Sequence, residues 1–388
     1  MDKKRLLQLS HLFKQEIEKK ELVDASIMVL HHDQEEFFET YGNVARDTIF
    51  KIYSMTKPVT AAAVMILFER GIIDLKDPIS KYLECFEHMM VMGSDGKEYP
   101  SNVQITIKNC LDMTSGLVYQ GNESICERIM EEEIRKLKEK NDKQGFLTNE
   151  EVAKAISKVP LLFEPGECWH YGMSADVLGM VIAKVTGMKL SEFMEKEIFK
   201  PLGMKDTAFI VSEEKKNRLA TMYMKDPTDG KVVKASEQKL KSILQREIIE
   251  GSSFEAGGSG LYSTIDDYAQ FAQMLLHNGK LNGKQILGRK TVEYMRSNQL
   301  TKEQSAGIYF EHAFGYGYGN LMRILIDKSV ACSNGTLQEY GWDGLPGTYF
   351  CVDPKEQLII LYMQQICDGQ EPAVRRKMRQ IIYGAIDD

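Results

Sequence analysis

A serine and a lysine stand three residues apart in Tyr53-Ser54-Met55-Thr56-Lys57-Pro58-Val59. A hydroxyl held beside an amine is the raw material of nucleophilic acyl transfer. Pro58 has no N–H and belongs in the first turn of a helix, so the run from Thr60 to Leu67 predicts a helix that begins close to Ser54. Ser54 and Lys57 then share one face and the positive end of the helix dipole, which favours an ionised hydroxyl and a neutral amine. A free lysine, with a pKa of about 10.4, becomes a useful base only where burial and positive neighbours lower it. The competing reading of Ser54 is an N-cap that satisfies a free backbone N–H. The same spacing recurs at Ser212-Glu213-Glu214-Lys215 and Ser236-Glu237-Gln238-Lys239, but both lie in polar runs with no apolar helix behind them and read as solvated surface.

A Ser-Lys pair needs a group to complete the proton path and donors for an oxyanion. Tyr171 is the candidate for the first. It lies between the Pro165-Gly166 turn and the start of a helix near Ser174, in an irregular segment that can project a side chain into a cleft. Its phenol, like lysine, needs positive neighbours to act as a base, and Lys57 would supply them. The alternative is a tyrosine packed beneath a loop.

The elements that must position these residues follow from pattern. Residues 3–19 carry leucines, Phe13 and Ile17 at helical spacing; Ala25 to Leu30 and Glu36 to Tyr41 read as paired strands. Helix signals dominate from there to about residue 255, including a capping box at Thr148 and Glu151 and a helix from Ser174 stopped by Gly187. Thr264 caps a further helix, Thr348 to Val352 and Leu358 to Met363 read as strands, and a last helix runs over Val374, Met378 and Ile382. This predicts an α+β fold in which residues 1–75 and 256–388 build one antiparallel layer and residues 76–255 form an inserted all-helical subdomain. The charged segments 123–143 and 213–246 are surface excursions or lids over the cleft.

Composition narrows the partners. The 388 residues carry a formal net charge of −7 and show no basic run interleaved with aromatics, which argues against nucleic acid. The longest wholly apolar run, Ala61 to Phe68, is too short to cross a bilayer, and the N-terminus reads as a charged amphipathic helix rather than a signal sequence. Seven cysteines with no C-x-x-C pair fit reduced thiols better than disulfides or zinc, and the histidines are dispersed. The expectation is a cytoplasmic protein that engages neither membrane nor nucleic acid.

Taken together, three stretches resemble the serine β-lactamase and penicillin-binding-protein superfamily, most closely the class C-like branch that includes the family VIII carboxylesterases. Ser54-Met55-Thr56-Lys57 is similar to its S-x-x-K motif, Tyr171-Gly172-Met173 stands where the branch has Y-x-N or Y-S-x, and Gly341-Trp342-Asp343-Gly344 stands where K-T-G, H-x-G or W-x-G is found. The resemblance covers residues 20–385. It implies a β-lactamase-like fold, Ser54 as nucleophile, Lys57 and Tyr171 sharing the acid–base work, and backbone N–H groups of Ser54 and Leu345 as the oxyanion hole. No cofactor or metal is implied. Substrate contacts would fall to Trp342, Asp343, Gly344 and Met173. Trp342 replaces the cation that binds a β-lactam or wall-peptide carboxylate, and Met173 replaces an amide, so the resemblance implies a serine hydrolase for esters of neutral, fairly apolar acyl groups, acting through an acyl-enzyme. Two alternatives stand beside it. One is a β-lactamase or DD-peptidase in which Arg323 supplies the missing cation; the other is a non-catalytic binding protein on the same fold. An α/β-hydrolase is disfavoured, since no G-x-S-x-G occurs.

Overall fold

The structure is a computed structural model that describes residues 1–226, 228–236, 253–367 and 372–387. Its centre is an antiparallel sheet of seven strands: β1 (Ala25–His31), β2 (Gln34–Tyr41), β3 (Tyr316–Gly319), β4 (Met322–Leu325), β5 (Tyr340–Asp343), β6 (Tyr349–Asp353) and β7 (Leu358–Gln364). The order across the sheet is β3-β4-β5-β6-β7-β1-β2. β1 therefore lies between β2 and β7, with Val29 opposite Phe37 on one side and Ile360 on the other.

Every residue of β1 and β7 is buried, which explains why both read as unbroken apolar runs rather than alternating ones: helices cover both faces. The helices that matter are α1 (Gln8–Glu18), α2 (Thr56–Glu69), α3 (Ile125–Gln144), α4 (Ser174–Thr186), α5 (Ile265–Leu276) and α6 (Pro372–Gly384). On one face Phe13 of α1 and Met378 and Ile382 of α6 pack on Ile27, Val29, Ile360 and Tyr362. On the other, Met28, Leu30, Ile359 and Leu361 share a core with Ala62, Val59 and Phe271 of α2 and α5. Helix α2 is buried from Thr56 to Leu67, so it has no polar face; it is the internal post of the molecule.

The intervening segment is mainly helical and also carries a small hairpin, Met90–Met92 with Glu98–Pro100. Of the two charged excursions, the first is helix α3, capped by Ser124 and Glu127 and stopped by Gly145 at φ +78°. In the second, residues 227 and 237–246 lie outside the described residues, as does Lys239 of the third Ser-Lys spacing. Its strand Tyr223–Lys225 pairs in parallel with Ile366–Cys367, so this part folds back onto the segment after β7. Ser174 opens α4 without capping it: its hydroxyl lies 2.8 Å from that of Ser115. The seven cysteines are thiols, not joined in disulfides. No helix among the described residues is long and apolar enough to cross a membrane.

One buried cation outside the Ser-Lys pair makes stability depend on pH. Lys51, only 5% exposed, sits between the rings of Tyr53 and Tyr262, and burial lowers its pKa to about 7. Between about pH 7 and 10.4 the unfolded chain holds a proton that the folded one does not, so stability rises with pH across that window. At and below pH 7 the cost of the buried charge is fully present. Lys51→Met should therefore stabilise the fold by about 4 kcal/mol at pH 6.5, with most of the gain gone near pH 10, as read by urea unfolding at both pH values.

Candidate active site

Ser54 sits in a single 3₁₀ turn, Tyr53–Met55, that leads directly into α2. Tyr53 adopts φ +42°, a left-handed conformation that a bulky residue occupies only when its surroundings hold it there. Those surroundings are specific. Ile52 N–H donates to Leu261 O, Leu261 N–H to Thr56 Oγ1, and Tyr268 Oη to Met55 O, so the turn is bonded on both sides of the serine. The N-cap position belongs to Met55, and no side chain caps the helix there. Ser54 is thus left for other contacts.

Lys57 is fully buried, and its Nζ lies 3.2 Å from Ser54 Oγ, 3.1 Å from Tyr119 Oη and 2.8 Å from Gly258 O. The carbonyl can only accept, whereas both hydroxyls can donate, so this geometry suits an amine that gives a hydrogen to Gly258 and receives one from Ser54. Tyr119 donates in turn to Asp176 Oδ2 at 3.4 Å, and Gly258 N–H donates to Asp176 Oδ1 at 3.1 Å. Burial raises the pKa of Asp176, and the charge of Lys57 opposes that rise. Gly257 and Gly258 are required by space. A Cβ on Gly257 would fall 2.4 Å from Ala175 O, and one on Gly258 would fall 2.6 Å from Asp176 Oδ2.

Tyr119, Asp176 and Gly258 escaped the reading of the sequence. A signal was present for Asp176, an acid inside the apolar run Ala175 to Val181 that α4 buries. Tyr119 follows the Ser115-Gly116 turn and carried no signal of its own. Its approach depends on the second motif, because a Cβ on Gly172 would lie 1.9 Å from Leu117 O.

Tyr171 completes the cluster. Lys57 Nζ stands 4.6 Å from its ring centroid, and Trp342 Nε1 donates to its Oη at 3.1 Å. Burial drives the phenol pKa well above its ordinary value, while hydrogen bonds with Ser54 and Trp342 pull against that rise. Burial thus favours the neutral phenol at this position. Around it Trp169, Phe310 and Trp342 form an aromatic wall, with Phe310 edge-on to Tyr171 at 5.3 Å and Tyr309, 48% exposed, at the rim.

The third motif meets the first through Gly344, where a Cβ would lie 2.5 Å from Ile52 O. Among the described residues, neither the Ser54 nor the Leu345 backbone N–H donates to a protein acceptor. Two expectations are corrected here, for one reason. Adjacent strand residues point to opposite faces, so with Trp342 of β5 turned toward Tyr171, Asp343 points the other way. It is buried against Arg375, with His312 Nε2 at 3.3 Å, on the face away from Tyr171. Arg323 pairs across the strands with Gly341 and shares the face of Asp343, so it cannot supply a carboxylate-binding cation to the Ser54 cleft. Met173 is 7% exposed, in the core at the entry to α4.

A family model described as Beta-lactamase matches residues 9–384. The chain belongs to the β-lactamase family. As a member it is a serine hydrolase by class. Within reach of this β-lactamase-family chain, an uncharacterised protein of Mycobacterium tuberculosis is 31% identical over 332 residues, 83% of this chain and 78% of its own. Esterase EstB of Burkholderia gladioli is 26% identical over 400 residues, covering 97% and 94% of the two chains. Among solved structures, EstCE1, described as a hydrolase with promiscuous acyltransferase activity, superposes with a TM-score of 0.77 at 21% identity, over 98% of this chain and 99% of its own.

Proposed function

We propose that the protein hydrolyses carboxylic esters with neutral, fairly apolar acyl groups through an acyl-enzyme on Ser54. The observation that carries this reading is the 3.1 Å hydrogen bond from Trp342 Nε1 to Tyr171 Oη: an indole, not a cation, lies beside the reacting hydroxyls. A substrate carboxylate would find no charge partner there, whereas an apolar acyl chain would lie against the rings. EstB, similar over nearly its whole length, supports the ester substrate.

Ser54 Oγ attacks the ester carbonyl as Lys57 takes its proton; the oxyanion is held by the N–H groups of Ser54 and Leu345; and Tyr171 passes a proton to the departing alkoxide. Water then adds to the acyl-enzyme by the same groups in reverse and releases the acid. An alcohol can take the place of water at the same intermediate, with its hydrocarbon part against the aromatic wall of Trp169, Phe310 and Trp342. Addition of 1-propanol to a p-nitrophenyl butyrate assay should then yield propyl butyrate alongside the acid.

The primary test compares p-nitrophenyl acetate, butyrate and octanoate with nitrocefin. Turnover of the esters without nitrocefin supports the proposal. Nitrocefin turnover at comparable kcat/KM would move the reading to a β-lactamase, and inertness toward both, to a binding protein. Trp342→Phe keeps a ring but removes the N–H, so kcat on p-nitrophenyl butyrate should fall about fivefold to tenfold, the scale of one hydrogen bond, with little change in KM. An unaltered kcat would remove the indole N–H from the positioning of Tyr171.

A further inference from the structure

Behind β5, on the face away from Ser54, a cavity of about 340 Å³ is lined by Arg323, Arg375, Arg376 and Arg379 together with Glu311 and His312. Three of the guanidiniums are matched. Arg375 binds Asp343, Arg379 Nη2 binds Glu339 Oε1 at 2.9 Å, and Arg376 Nη1 binds Glu311 Oε1 at 2.8 Å. The fourth is not. Arg323, 2% exposed, is held between the rings of Tyr316 and Tyr349, with centroids at 5.5 and 4.7 Å, and its Nη2 donates to Phe350 O at 3.3 Å. Its Nη1 has no hydrogen-bond partner.

A buried guanidinium edge without an acceptor is expensive, and although Asp343 and Glu339 lie near enough to favour the charge of Arg323, neither accepts from its Nη1. We propose that this cavity is a binding site for a small organic monocarboxylate, with the carboxylate on Arg323 Nη1. One unpartnered nitrogen calls for one acceptor group, and a planar carboxylate suits the guanidinium fork. The approach is apolar, through Phe314 and Val330, which are 46% and 59% exposed, so a hydrocarbon tail fits where a bare inorganic anion would leave that surface unfilled.

Cys332, an exposed thiol on the lining, gives a local readout that binding in the Ser54 cleft does not disturb. Its alkylation by iodoacetamide, followed by peptide mass spectrometry, is measured with sodium butyrate, butyramide, inorganic phosphate and sodium chloride at matched ionic strength. At butyrate about tenfold above its Kd, labelling of Cys332 should slow about tenfold by mass action, with chloride and butyramide without effect. Arg323→Met should abolish the protection. No protection by butyrate, or equal protection by butyramide, overturns the site; equal protection by phosphate overturns the carboxylate assignment. These comparisons on the unaltered protein stand even where Arg323→Met fails to fold.

Discussion

Ser54→Ala should lower kcat on p-nitrophenyl butyrate by on the order of 10⁴–10⁶, the scale on which loss of a catalytic nucleophile is felt. The reason lies in how little else the cluster offers. Lys57 Nζ is fully buried among Ser54 Oγ, Tyr119 Oη and Gly258 O, so no second nucleophile reaches the carbonyl if the serine is removed. The same variant should lose covalent modification by a phosphonate ester, which adds its mass to Ser54 in the unaltered protein. Equal rates in the two proteins would remove Ser54 from the chemistry. Labelling without turnover would instead leave a reactive serine and an unmet substrate requirement.

The second large effect is expected at Tyr171. Tyr171→Phe removes a single oxygen, one that receives the Trp342 N–H and bonds with Ser54, and keeps the ring that Phe310 and Lys57 pack against. The fold should stand, and kcat should fall by about 10²–10⁴, as for the loss of a general acid. KM should change little, because the aromatic wall is intact. In the unaltered protein, where burial favours the protonated phenol, kcat should not climb as pH is raised toward 10, whereas a phenolate base would gain activity there. Unchanged kcat in Tyr171→Phe would refute the proton role.

Much of this site is legible in the chain because its geometry is local. Ser54 and Lys57 lie one helical turn apart, and Pro58 announces where that turn begins. The sheet is legible for a related reason: β1 and β7, buried on both faces, are dense apolar runs that only a covered strand carries. What local pattern does not convey is which distant loop comes alongside. Tyr119 and Gly258 reach Lys57 from 62 and 201 residues away, and nothing in their own neighbourhoods marks the meeting. The direction of Asp343 is obscured for a different reason. A motif treats Trp342 and Asp343 as neighbours, but the strand beneath it sends them to opposite faces. The face of Arg323 needs one thing more, the cross-strand register that sets it opposite Gly341, which no local pattern conveys.

The pairing of β1 with β7 also sets a timetable for synthesis. Ser54 leaves the ribosome early, yet the strand that must lie beside β1 begins at Leu358, and Trp342 follows Ser54 by 288 residues. At about 5–20 residues per second, the serine waits about 15–60 s for the segment that encloses it. Throughout that interval β1 has β2 on one side but lacks β7 on the other, so one edge of an apolar strand stays unpaired. The cleft around Ser54 is enclosed only after the segment that carries Trp342 and β7 has been made.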